Sequence, residues 1–142
     1  MSTPTGKLAA QQLENMQELC KDHPRGSFFN TLGVAEYRAG NYEAAIEACT
    51  KSLDMTPKEL DLPGPHPGDL AFLAMSHFQL GENEQANEFR KQLTEAMKHK
   101  KFQSDEETVG FVKEVNELLD AVADVGAGTN KESSTVSKDI NE

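Results

Sequence analysis

The chain has 142 residues, 37% hydrophobic and 6% aromatic with no Trp, which suits one domain of ordinary size around a modest core. Its net charge of -10, from 24 acidic and 14 basic residues, argues against a surface for nucleic acid or anionic membrane, since both need clustered Lys and Arg to neutralise phosphates. The first residues lack a signal-peptide hydrophobic core and no apolar run approaches the ~20 residues of a membrane span, so the expected location is cytoplasmic.

Residues 1–6 are expected to be a flexible N-terminus. A first helix is predicted over 7–22, where Ala9, Leu13, Met16 and Cys20 form an apolar stripe and Glu14, Gln17, Glu18 and Lys21 face outward. Pro24 ends it, because the residue before proline avoids the helical region. The helix reads either as the second half of an incomplete repeat or as a plain N-terminal cap. A helical hairpin follows over 27–57. In its first half Phe28, Leu32, Ala35 and Ala39 recur at helical steps and are assigned to the core, with Gly40 as the left-handed C-cap. In its second half Asn41 is the expected N-cap and Tyr42, Ile46, Cys49 and Leu53 repeat the steps. Pro57 is expected to end this helix, since it lacks an amide hydrogen and clashes with the preceding turn. The small residues Gly33, Ala35, Ala44, Ala45 and Ala48 mark where the two backbones come close.

Residues 58–68 are predicted to be an irregular loop, with three prolines and two glycines inside 63–68. A second hairpin is predicted over 69–99: Leu70, Leu73, Leu80 and Gly81 echo the first helix, and Asn83, Ala86, Phe89, Leu93 and Met97 the second. Residues 70–80 are apolar on nearly all sides, as in a helix covered on both flanks. Ser104 and Glu107 form a capping box that opens a last helix over 104–124, with the stripe Phe111, Val115, Leu118 and Val122. Gly110 costs this helix about 1 kcal/mol relative to Ala, so it depends on docking to the second hairpin. Residues 125–142 hold too few apolar groups to offset the entropy of ordering and are expected to be disordered.

Phe29, Leu32, Gly33, Ala45 and Pro57 stand at the spacings aromatic-x2-Leu-Gly, Ala and Pro of a tetratricopeptide repeat, which the hairpin resembles. Glu36 replaces the usual Tyr and Cys49 the second aromatic; the second copy has Ala74, His77 and Arg90 at the Gly, Tyr and second aromatic positions. The resemblance implies an all-α fold, a short right-handed α-solenoid of stacked hairpins with N- and C-terminal capping helices. The phrase PHPGDLAFLAMSHFQLG, with the long repeat and the acidic-capped last helix, resembles tetratricopeptide modules common in planctomycete bacteria, often attached to serine/threonine protein kinases. The sequence carries no Gly-rich loop, His-Arg-Asp or Asp-Phe-Gly, so a stand-alone module or a fragment or companion of a signalling kinase is implied.

No catalytic, metal or cofactor site is predicted. The histidines His23, His66, His77 and His99 fall in four elements, and no His-x3-His, Cys-x2-Cys or Glu-x2-His pairing occurs. Cys20 and Cys49 sit on apolar faces and read as buried free thiols. What remains is the concave groove that the resemblance implies, lined by Asn30, Val34, Tyr37 and Arg38 and by Ala71, Met75, Phe78 and Gln79. Met75 and Phe78 could equally serve to pack the terminal helix. The expected function is non-enzymatic binding of a peptide or helix of a partner protein. The alternative is self-association into a homo-oligomer that closes the open stacking faces. Of the clamp by which some family members hold a chaperone's C-terminal carboxylate, only Asn30 is present, so that ligand is not expected.

Overall fold

Seven helices and no strand make up residues 4–128, the span that the computed structural model describes, with side chains over 9–121. They are α1 (Pro4–Asp22), α2 (Gly26–Arg38), α3 (Tyr42–Glu59), α4 (Pro67–Gln79), α5 (Asn83–Ala96), α6 (Lys100–Gln103) and α7 (Glu106–Gly128). The expected disorder of 125–142 meets helix as far as Gly128, and the rest of that stretch, with residues 1–3, lies outside the described residues. Helix α1 also takes in residues 4–6 of the expected flexible start.

Helix α4 is central because its sequence is apolar all round, and residues 67–76 are buried without a break. It packs against α3, α5, α7 and α2, while α2 packs on α3 and α1 on α2. Leu70, Phe72, Leu73 and Met75 form the middle of the core, joined by Cys49, Leu93, Val115 and Leu119. Tyr37, Phe72 and Phe111 link α2, α4 and α7 through edge-on aromatic contacts of 5.4 and 4.9 Å.

Both hairpin corners turn on a left-handed glycine, Gly40 at φ 85° and Gly81 at φ 79°. Asn41 N donates to Glu36 O (2.8 Å) and Glu82 N to His77 O (2.9 Å), closing the last turns of α2 and α4 in the same way. The 41-residue offset expected from the sequence thus relates the two corners, and Ala45 and Ala86 are both fully buried.

Several local expectations are corrected. Pro57 does not end α3, which runs to Glu59. In the last turn proline forfeits only its own amide bond, its carbonyl accepts from Leu62 N (2.9 Å), and the extra turn lets Glu59 accept from Gly26 N (2.8 Å). Pro67 and Gly68 belong to α4 rather than to the loop, because proline is suited to the first helical position and His66 Nδ1 caps Gly68 N. Asn41 makes no side-chain cap; its amide donates to Glu36 Oε1 instead. Asp105, not Ser104, caps α7 by accepting from Thr108 N and Oγ1. The short α6 between α5 and α7 was not expected.

The largest correction concerns α2. Its buried residues are Gly26, Phe29, Gly33, Glu36 and Tyr37, whereas Phe28, Leu32 and Ala35 are half-buried and Ala39 is exposed. The core face is therefore rotated by one residue, about 100°. Gly33 sets it, since a Cβ there would overlap Cys49 Sγ and come within 3.4 Å of Cys49 N.

Candidate functional site

The residues expected to line a concave groove are mostly in the core. Ala71 and Met75 are 0% exposed and Tyr37 9%, and Val34 and Phe78 are half-buried against the same cluster. Tyr37 Oη accepts from the exposed Gln79 (3.2 Å), and Asn30 Nδ2 donates to Asp69 (2.7 Å). Only Arg38 and Gln79 of the eight are exposed, and Arg38 forms a two-pronged ion pair with Glu114 of α7 while lying 5.3 Å over the Phe72 ring. Helix α7 covers this face: Phe111 meets Phe72, and Val115 and Leu119 enter the core, so Met75 and Phe78 do serve packing.

A second constellation, invisible in the sequence, gathers Ser52, His66 and Asp69. It resembles a nucleophile set in composition but not in geometry. Ser52 Oγ donates to Asp69 Oδ2 (2.7 Å) rather than to an imidazole, and both side chains are fully buried. His66 Nδ1 accepts from Gly68 N at 3.1 Å, and its 4.0 Å separation from Asp69 is too long for a hydrogen bond. With Asn30 on the other carboxylate oxygen and Thr56 Oγ1 2.9 Å from Ser52, the cluster locks the start of α4 onto α2 and α3. Burial raises the Asp69 carboxyl above its ordinary value, against the Asn30 and Ser52 hydrogen bonds and the His66 ring. Burial likewise pushes up the thiols of Cys20 and Cys49, which therefore stay protonated and are poor nucleophiles. Among the described residues no group of three His, Cys, Asp or Glu is placed to hold a metal ion.

An open apolar site lies elsewhere, between α1 and α2. It is a cleft of about 670 Å³ floored by Leu13, Met16 and Ala35, with Ala9, Thr31 and Ala39 around it. Its origin is legible once α1 is set against α3 at an offset of 33 residues. Ala9, Leu13, Met16 and Cys20 then match Tyr42, Ile46, Cys49 and Leu53, and Pro24 matches Pro57. In α3 that stripe lies in or against the core, covered by α2 and α4. Of the matching stripe on α1 only Cys20 is buried, Leu13 and Met16 are half-buried and Ala9 is exposed.

Helix α1 packs on α2, the first helix of the following hairpin, as α3 packs on α4. Sequence reasoning raised the incomplete repeat but assigned the α2 stripe of Phe28, Leu32, Ala35 and Ala39 to the core and so did not foresee the cleft; the 33-residue offset was the signal available. Glu36 holds α1 in place, its buried carboxylate accepting from Gln17 Nε2 (3.2 Å) across the α1–α2 seam and from Asn41 Nδ2 (2.9 Å) at the corner.

The chain was set against family models, curated proteins and solved structures, and none of the three gave a match.

Proposed function

We propose that the chain is a non-catalytic interaction module of the tetratricopeptide type, a short solenoid that receives an amphipathic helix of a partner protein in the α1–α2 cleft. The observation that carries this reading is the open cleft beside α1, whose apolar stripe matches that of α3 at a 33-residue offset but is only partly buried. Apolar walls with small residues at Ala9, Ala35 and Ala39 leave room for a helix backbone to approach and for its larger side chains to meet Leu13 and Met16. A second copy of the chain is the other candidate occupant.

A photoreactive amino acid introduced in place of Ala39, at the exposed edge of the cleft, tests the reading in native cells. The expected result is a crosslinked adduct of partner mass, lost when Leu13→Glu places a charge on the cleft floor. An adduct of twice the chain's mass, with a dimer in light scattering, would replace the partner by self-association. Absence of any adduct would overturn the cleft as a binding site.

A further inference from the structure

Helix α4 packs closely on both helices of the first hairpin, α3 and α2. Helix α7 does not repeat this stacking on the second hairpin. It packs on α4 and α6, and α5 is not among its close neighbours in the described residues. It lies instead over the face of α4 that adjoins the end of α2. Phe111 meets Phe72 edge-on (4.9 Å), and Val115 and Leu119 follow at steps of four into the core. Arg38 from α2 and Arg90 from α5 reach it, the first pairing with Glu114 and the second with Asp120 (2.7 Å).

Few groups hold α7 in this place. Both ion pairs open to solvent, all four side chains being at least 29% exposed, and such pairs contribute little and weaken in salt. Gly110 lowers the helical tendency of α7, and packing does not require it, since a Cβ there would meet nothing within 4 Å. Between α5 and α7 the chain holds only the four-residue α6. A helix with so few ties opens as a unit at lower free energy than the core it covers.

The chemistry of the covered face is read from its cover. Residues 105–121 carry six carboxylates and one lysine, and two of those carboxylates meet arginines, on a chain of net charge -10. We infer that α7 is an autoinhibitory helix, filling in cis a face on α4, flanked by Arg38 and Arg90, that accepts an acidic amphipathic helix of a partner protein. Helix α7 is the pattern for that helix, with bulky apolar side chains at steps of four and carboxylates set for the two arginines. Its tether gives it a high effective concentration, so only a partner helix that binds more tightly displaces it. The face is separate from the α1–α2 cleft, with which it shares only Arg38, and does not depend on that cleft as a binding site.

In the full chain, Val115→Glu puts a charge at a fully buried position and should free α7. The freed protein is expected to bind a fluorescein-labelled peptide of residues 105–121 saturably, with Kd on the order of 100 µM. Wild type should bind it about tenfold more weakly, because its own α7 competes. Adding Arg38→Glu should cost about tenfold in affinity, and Glu114→Arg in the peptide should restore it, which a merely structural role of Arg38 would not allow. If Val115→Glu loses helix beyond α7, hydrogen exchange of wild type decides. Amides of 111–119 should exchange through an opening that leaves α2–α5 protected and that quickens in sodium chloride. Exchange of α7 only together with α2–α5 would overturn the inference. So would a folded Val115→Glu protein that does not bind the peptide, wild type binding it equally, equal binding of a peptide with Lys for each Asp and Glu, or a wild-type dimer that swaps α7 between copies. None of these outcomes touches the proposal for the α1–α2 cleft.

Discussion

The two hairpins, α2 with α3 and α4 with α5, share one corner and differ in how closely their helices meet. The residues after the corner glycines agree to within a few degrees, Asn41 at φ -92°, ψ 73° and Glu82 at φ -92°, ψ 69°. The side chains that tie each corner are chemically reversed. At the first, the Glu36 carboxylate accepts from the Asn41 amide (2.9 Å); at the second, residues 41 further on, His77 Nδ1 meets the Glu82 carboxylate (2.7 Å). The backbone therefore dictates the corner, and the tie needs only one donor and one acceptor across it.

At the helix crossing the equivalence ends. Gly33 leaves no room for a Cβ against the buried Cys49, while its counterpart Ala74 has one and the counterpart of Cys49 is Arg90. Arg90 turns away to Asp120 of α7 (2.7 Å). The first hairpin is closed by near backbone contact; the second gives up that contact and gains α7 as a cover.

The sharpest way to break this comparison is Gly33→Leu, which forces a branched side chain into the Cys49 contact. We expect a loss of about 3 kcal/mol and a fall in Tm on the order of 15 °C by calorimetry, with Ala74→Leu read beside it. A Gly33→Leu protein of unchanged Tm would mean that the first crossing is not tight.

Next in size, Gly40→Ala and Gly81→Ala should each cost about 1 kcal/mol and by the same amount, because a Cβ at either meets nothing within 4 Å and only the left-handed φ is penalised. Urea melts of the two variants that differ severalfold would show that the corners are not equivalent.

An effect of similar size and opposite sign concerns Asp69, through which the second hairpin is held to the first. Asp69→Asn keeps an acceptor for Asn30, can donate to Ser52, and removes a buried charge, so at neutral pH it should be more stable than wild type by about 1 kcal/mol. The sign follows from the raised folded-state value: the contribution of Asp69 is fully present below its ordinary value of 3.8 and is lost as pH rises through the folded one. The advantage of Asp69→Asn should therefore shrink as pH falls towards 3.8. Urea midpoints across that range measure it, and an advantage that grows on acidification would contradict the assignment.

The sequence by itself determined the helices and their corners. A 3.6-residue apolar period, Gly40 and Gly81 at a 41-residue spacing, and an α4 apolar on every side needed no partner to be read. The tertiary structure alone decided which face of α2 is buried, where Phe28 and Phe29, or Leu32 and Gly33, stand side by side and a period fixes the stripe only to within one residue. Gly33 against Cys49 settled it, and Tyr37 went into the core with it. It also decided that α7 covers the face first assigned to a ligand, and that the open cleft lies instead between the apolar stripe of α1 and the α2 stripe that read as core. An apolar stripe specifies that something must cover it; what covers it is a property of packing between elements distant in the chain, which local periodicity does not encode.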